Sequence, residues 1–132
     1  MTKTYPADLN QLSAVAADIE AFCAQNGMDG LAFALNLSAD ELFTNTVTYG
    51  CRAKTPKKIS ITLTCERGGV KMVIEDDACK FDPFSVAEPE VGSGVLERKV
   101  GGLGVFFVRK HMDEFSYEYK NGKNIVTLFK KS

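Results

Sequence analysis

The sequence is poor in clustered metal ligands and has no excess charge of either sign. It has one histidine, His111, and four cysteines, Cys23, Cys51, Cys65 and Cys79, none in a Cys-x-x-Cys pair. That scatter argues against a zinc site, which needs thiolates or imidazoles close together. The formal net charge is −1, so no broad basic surface is available to grip nucleic acid directly. No apolar run approaches the length of a membrane span, and Met1-Thr-Lys-Thr-Tyr-Pro6 lacks the apolar core of a signal peptide. The expected location is the cytoplasm, where the cysteines would be free thiols. Cys79 is singled out because it lies inside one of the motifs described below. There is no internal repeat, linker or low-complexity tract, and 132 residues suit a single domain over 1–132.

What is present is a clear alternation of helical and strand patterns. Residues 2–6 suit a short edge strand ended by Pro6. Asp8 is an N-cap for a helix to about residue 25, with Leu9, Leu12, Val15, Ile19, Phe22 and Cys23 at steps of three and four. Asn26-Gly27 stops it. A second helix starts at Asp29 or Gly30 and runs to Gly50, carrying Leu31, Phe33, Leu35, Leu37, Leu42 and Val47. Thr55-Pro56 marks a turn. Lys58 to Cys65 alternates polar and apolar, Arg67-Gly68-Gly69 turns the chain, and Val70 to Ile74 returns as a partner strand. A long stretch to about residue 100, with Pro83, Pro89, Gly92 and Gly94, reads as a mobile lid over 82–100. Its last charges, Arg98 and Lys99, would reach a phosphate on closure or remain surface charge. A third helix follows, with Phe106 and Phe107 expected in the core and His111 in a packing or surface role. A hairpin turning at Asn121-Gly122 ends the chain. Two hairpins and three helices make an α/β (α+β) two-layer sandwich, a mostly antiparallel sheet covered on one face by helices.

Three stretches carry chemistry. On the second helix Glu41, Asn45 and Tyr49 recur every four positions and so share a face. A carboxamide oxygen can bind Mg²⁺, and a carboxylate one turn away can take a proton. Alone, the same spacing also describes a solvated helix face. Asp76-Asp-Ala-Cys-Lys-Phe-Asp-Pro83 is expected just past a strand end, where Asp76 could accept a hydrogen bond from an exocyclic amine such as that of adenine. An acidic turn is the plainer alternative. Gly101-Gly-Leu-Gly104 opens the third helix, a setting in which backbone N–H groups approach phosphates. It matches neither the P-loop nor the dinucleotide fingerprint, and close packing alone also produces such helix starts.

In this order the three stretches resemble the boxes of the GHKL nucleotide-binding fold, also called the Bergerat or histidine kinase-like ATPase fold. Within it the chain is most similar to the small anti-sigma factor serine/threonine kinases of bacterial partner-switching systems. Glu41-Leu-Phe-Thr-Asn45-Thr-Val-Thr-Tyr49-Gly50 resembles the N box, with tyrosine where histidine is frequent. Asp76 to Pro83 resembles the adenine box, and Gly101 to Glu114 the second glycine box with its helix. The resemblance spans essentially the whole chain and implies a mixed, mostly antiparallel sheet under three helices.

Residue by residue, it implies that Glu41 is the general base, Asn45 the Mg²⁺ ligand and Asp76 the adenine acceptor. Ala78 and Phe81 fall in the adenine box, Gly102, Leu103 and Gly104 border the phosphates, and Asn124 stands where many relatives have a threonine near the adenine. Alanine at 78 departs from the family's usual glycine, so the expectation is weaker ATP binding than in glycine-bearing relatives. The implied activity is an ATP- and Mg²⁺-dependent protein serine/threonine kinase in transcription regulation. It would sequester a sigma factor, phosphorylate a STAS-type anti-anti-sigma protein and form a homodimer. The alternative is a nucleotide-binding regulatory module that holds protein partners without phosphoryl transfer. A detached histidine-kinase catalytic domain is a third reading, disfavoured because the chain has no dimerisation helix bearing a phosphoacceptor histidine.

Overall fold

The computed structural model describes residues 1–49, 58–85 and 102–132. The sheet strands are β1 (Thr2–Pro6), β2 (Lys58–Glu66), β3 (Gly69–Asp76), β4 (Glu114–Lys120) and β5 (Lys123–Lys131). They lie in the order β1-β2-β3-β5-β4. Every described pairing is antiparallel, so the parallel component implied by a mixed sheet is absent among the described residues. Three helices, α1 (Leu12–Gln25), α2 (Ala32–Tyr49) and α3 (Gly102–His111), pack side by side with α2 in the middle.

Both hairpins turn in two residues with left-handed backbone, Arg67 (φ 50) and Gly68 (φ 75), then Asn121 (φ 53) and Gly122 (φ 77). Turns with positive φ at both central positions match the right-handed twist of the strands they join. The period-two pattern of β2 then sends Ile59, Ile61 and Leu63 fully into the core, while Ser60 and Thr62 face away. On that outer face Thr2 meets Thr62 and Thr4 meets Ser60 through their hydroxyls at 3.1 and 2.9 Å. Opposite the inner face, Val15, Ile19, Leu35, Ala39, Phe43 and Val108 bring the helices down onto Met72, Ile74 and Leu128.

The helix starts differ in detail from the periodic pattern. Asp8 caps as expected, accepting from Asn10 N–H at 3.0 Å, but the first turn is a 3₁₀ turn over Leu9–Gln11 and the α-helix begins at Leu12. Leu9 is exposed, since the tighter turn rotates it off the buried face. A second 3₁₀ turn, Asp29–Leu31, precedes α2. Phe33 points outward, 71% exposed, where its ring meets His111 edge-on. On α3 the core positions are Val105 and Val108, followed by Met112 just past its end. Phe107 is 42% exposed and Phe106 half-buried, which corrects their expected place in the core: the helix turns its valines inward instead. No helix of the described residues is long and apolar enough to cross a membrane.

The expected lid is tied down at its start. Pro83 is buried in a short 3₁₀ turn, Pro83–Ser85. The Phe84 ring lies 4.8 Å from that of Phe115 on β4, and the Arg109 guanidinium of α3 donates to the Phe84 carbonyl. Residues 86–100, with Arg98 and Lys99, lie outside the described residues, as do Gly50, the Thr55-Pro56 turn and Gly101.

Candidate nucleotide site

The end of β3 and the second half of α2 face each other across a cleft. Its walls include Asn45 and Thr46 from α2, Ile74 and Asp76 from β3, Ala78, Cys79, Phe81 and Pro83 from the loop after β3, and Asn124 and Val126 from β5. The site residues Asn45, Asp76, Ala78, Phe81 and Asn124 therefore meet at one place. Asp76 is the last residue of β3, not a residue past its end, and is paired with Ile59 on one side and Asn124 on the other. That ladder holds its side chain at the cleft floor, 8% exposed.

The bonding of Asp76 is lopsided. Its Oδ1 accepts from Ala78 N–H at 2.9 Å and from Asn124 Nδ2 at 3.0 Å. Among the described residues its Oδ2 has only the Thr46 hydroxyl at 3.4 Å, and that single proton has a nearer acceptor, the Leu42 carbonyl at 3.1 Å. A carboxylate oxygen accepts two hydrogen bonds or more. Oδ2 therefore keeps capacity for an incoming donor, as an adenine amine would require.

Glu41 and Asn45 lie one turn apart on α2, on the face toward the cleft and α3. Asn45 is 8% exposed, and its carboxamide makes no hydrogen bond among the described residues. A carboxamide oxygen is a hard donor suited to Mg²⁺. Glu41 is half-buried beside Gly104 on α3, so close that a side chain at 104 would run into its carboxylate. Burial raises the Glu41 carboxyl above the usual glutamate range, and the neighbouring Asp40 raises it further. A raised carboxylate is a better proton acceptor than a solvated one. The backbone of Gly102 and Leu103 forms the first turn of α3, and Tyr49 ends α2. The side chains of Leu103 and Tyr49 lie outside the described residues. The residues present thus suit a magnesium-bound nucleotide: an acceptor for a base, an oxygen for the metal and a glycine-opened helix start.

Two residues escaped the sequence reading. Thr46 and Tyr117 both bond to site residues, Tyr117 OH donating to Asn124 Oδ1 at 2.6 Å. The available signal was Asn124 itself, since a polar residue at an inward strand position must find partners. Cys79, singled out in the sequence by its place in a motif, differs from the other cysteines described. Cys23 and Cys65 are free, but Cys79 is disulfide-bonded, which corrects the expectation of free thiols throughout.

Comparison with known proteins agrees with this geometry. The histidine kinase-like ATPase domain family matches residues 5–130. The serine/threonine-protein kinase BtrW of Bordetella bronchiseptica is 32% identical over 98 residues, covering 74% of this chain and 69% of that protein. The serine-protein kinase RsbW of Listeria monocytogenes is 23% identical over 96 residues, 70% of this chain and 61% of RsbW. Among solved structures, the histidine kinase domain of Erythrobacter litoralis EL346 superposes with a TM-score of 0.54 at 15% identity, over 94% of this chain and 60% of that one. The Acinetobacter baumannii histidine kinase AdeS gives 0.51 at 12% identity, over 99% and 67%. These two likenesses concern the fold. With the family matched over nearly its whole length, the chain belongs to the histidine kinase-like ATPase domain family.

Proposed function

We propose that the chain binds Mg-ATP in the cleft between α2 and the end of β3 and transfers phosphate to a serine or threonine of a protein partner. The observation that carries this reading is the alignment on α2 of an unspent carboxamide, Asn45, with a half-buried carboxylate, Glu41, next to an aspartate with a spare oxygen. The two relatives, one named a serine/threonine-protein kinase and the other a serine-protein kinase, favour a hydroxyl acceptor over a histidine one. Following the family resemblance, the partner is a STAS-type anti-anti-sigma protein, and the chain also holds a sigma factor.

When bound, Mg-ATP supplies the phosphoryl group and the metal charge that offsets its transfer. Asp76 Oδ2 accepts from the base amine, and Ala78 and Phe81 border the ring. Asn45 would hold the metal through its amide oxygen. Gly102 and Gly104 let the α3 backbone approach the phosphates. Glu41 takes the proton of the partner's hydroxyl as its oxygen bonds to phosphorus and the bond to the departing ADP oxygen breaks.

Incubation with γ-labelled ATP and candidate STAS proteins tests this reading. Label on a serine or threonine of the STAS protein supports it. A stable complex with no label transferred favours instead a regulatory module that binds nucleotide and partners without catalysis.

A further inference from the structure

Asn124 is 5% exposed at the floor of the cleft, and its hydrogen-bonding capacity is already spent. Its Nδ2 donates to Asp76 Oδ1 at 3.0 Å and to the Cys79 carbonyl at 2.9 Å, with the Ala78 carbonyl at 3.4 Å. Its Oδ1 accepts from Phe81 N–H at 3.0 Å and from Tyr117 OH at 2.6 Å. A carboxamide has two N–H donors and two carbonyl lone pairs, and all four are used. The partners also fix which way round the amide sits. Asp76, Ala78 and Cys79 offer only acceptors on one side, and Phe81 offers a backbone N–H on the other. Burial pushes the Tyr117 phenol up, so it keeps its proton and serves as a donor; the Asp82 and Asp76 charges reinforce this against the opposing effect of the Phe81 N–H.

We infer that Asn124 is a positioning residue for base recognition and makes no bond to the nucleotide itself. It holds Asp76 Oδ1 from below, which leaves Oδ2 as the oxygen offered to an exocyclic amine, and it fastens the loop from Ala78 to Phe81 at three backbone points. This rests on the nucleotide reading above and departs from the direct base contact implied by the resemblance at this position. Its consequence is specific. Losing Asn124 should blur the reading of the amine more than it weakens nucleotide binding in general.

The test compares equilibrium binding of Mg-ATP with that of magnesium purine riboside triphosphate, which has the same ring system without the 6-amino group. The wild type should prefer ATP by about tenfold or more, the worth of one hydrogen bond to a charged acceptor. Asn124→Leu, of similar volume, should bring that ratio toward one while the affinity for the amine-free analogue falls less than about threefold, since no bond to it is lost. If both affinities fall by one common factor, Asn124 merely packs the loop or touches the ring, and the inference is overturned. A wild type that does not distinguish the two nucleotides overturns it equally. A wild type that binds neither overturns the nucleotide reading as well, a result distinct from binding with an unmoved ratio. If Asn124→Leu does not fold, Tyr117→Phe removes only the hydroxyl that anchors Asn124 Oδ1. It should lower the ratio by about two- to fivefold, and an unchanged ratio there also overturns the inference.

Discussion

Gly104 on α3 has no room for a side chain because the Glu41 carboxylate of α2 lies against it. A Cβ placed on Gly104 would overlap Glu41 Oε2 and Cδ and stand 3.0 Å from its Cγ, and these are the nearest atoms to it. Two of the sequence stretches, far apart in the chain, therefore meet through the residue proposed as base and a glycine of the helix opening.

That contact predicts a separation of stability from activity. The atoms in the way are the far end of a flexible side chain, so in Gly104→Ala the Glu41 carboxylate swings aside at little cost. Alanine also favours helix by up to about 1 kcal/mol. Thermal unfolding should be unchanged or slightly raised. Phosphate transfer should fall by about 10- to 100-fold, because a displaced base loses its reach to the hydroxyl. In a Glu41→Gln background the alanine should cost no further activity, since residues acting as one unit are not additive. A full additional loss in the double variant would show that Gly104 acts by another route.

The pH dependence follows from the raised Glu41 carboxyl. The base works only when ionised, so transfer should drop as pH falls, with an acid limb above the ordinary glutamate range. Asp40→Asn removes the second cause of the shift and should move that limb toward lower pH. Stability has the opposite sense. A carboxyl raised on folding disfavours the ionised folded state above its folded pKa, and that penalty fades as pH falls through the folded value toward the unfolded one. Glu41→Gln should therefore stabilise the fold near neutral pH, by a margin that shrinks on acidification. Chemical denaturation at several pH values, beside transfer rates over the same range, reads both signs. A gain that grows toward acid would contradict the assignment.

Asp76 offers a sharper prediction than its motif did. In Asp76→Asn the amide oxygen can keep the bonds from Ala78 N–H and Asn124, which leaves an NH₂ where Oδ2 stood. Folding should largely survive. Mg-ATP affinity should fall by about 1–3 kcal/mol, because donor then faces donor at the base amine. Calorimetric titration measures it, and an unaltered affinity would remove Asp76 from the base site.

The parts of the fold set by local pattern were readable before any coordinates. The Arg67-Gly68 and Asn121-Gly122 turns fixed both hairpins, and the alternation of β2 fixed its buried face, because turn chemistry and side-chain period are properties of a few adjacent residues. The meeting of Asn45, Asp76, Ala78, Phe81 and Asn124 in one cleft followed from the resemblance, not from spacing. The failures arose where tertiary packing decides between equivalent local choices. Phe33 and Phe107 fit an apolar stripe as well as their neighbours do, yet Leu35 and Val108 take the core. Nothing local shows that Asn124 is fully bonded, since its partners Asp76, Ala78, Cys79 and Phe81 lie 43 to 48 residues away.

Ala78, where the family resemblance leads one to expect glycine, gives the last prediction. Glycine there could serve a left-handed backbone or leave space for a ring. The first possibility is removed by the structure. Among non-glycine residues described, positive φ occurs at Arg67 and Asn121 and not at Ala78. Alanine therefore carries no backbone strain, and its N–H is well used, donating to Asp76 Oδ1 at 2.9 Å. What remains is the methyl of Ala78, a residue 2% exposed in the cleft wall. If it limits how closely a base approaches, Ala78→Gly should tighten Mg-ATP binding while lowering folding stability by about 0.4–1 kcal/mol, because glycine loosens the unfolded chain. Ala78→Val should do the reverse to affinity, since a larger group narrows the same wall. Binding titrations and unfolding midpoints on the three proteins separate the two effects by sign. Affinities that do not follow side-chain size would mean that the methyl faces away from the base, and that alanine at this position costs the nucleotide nothing.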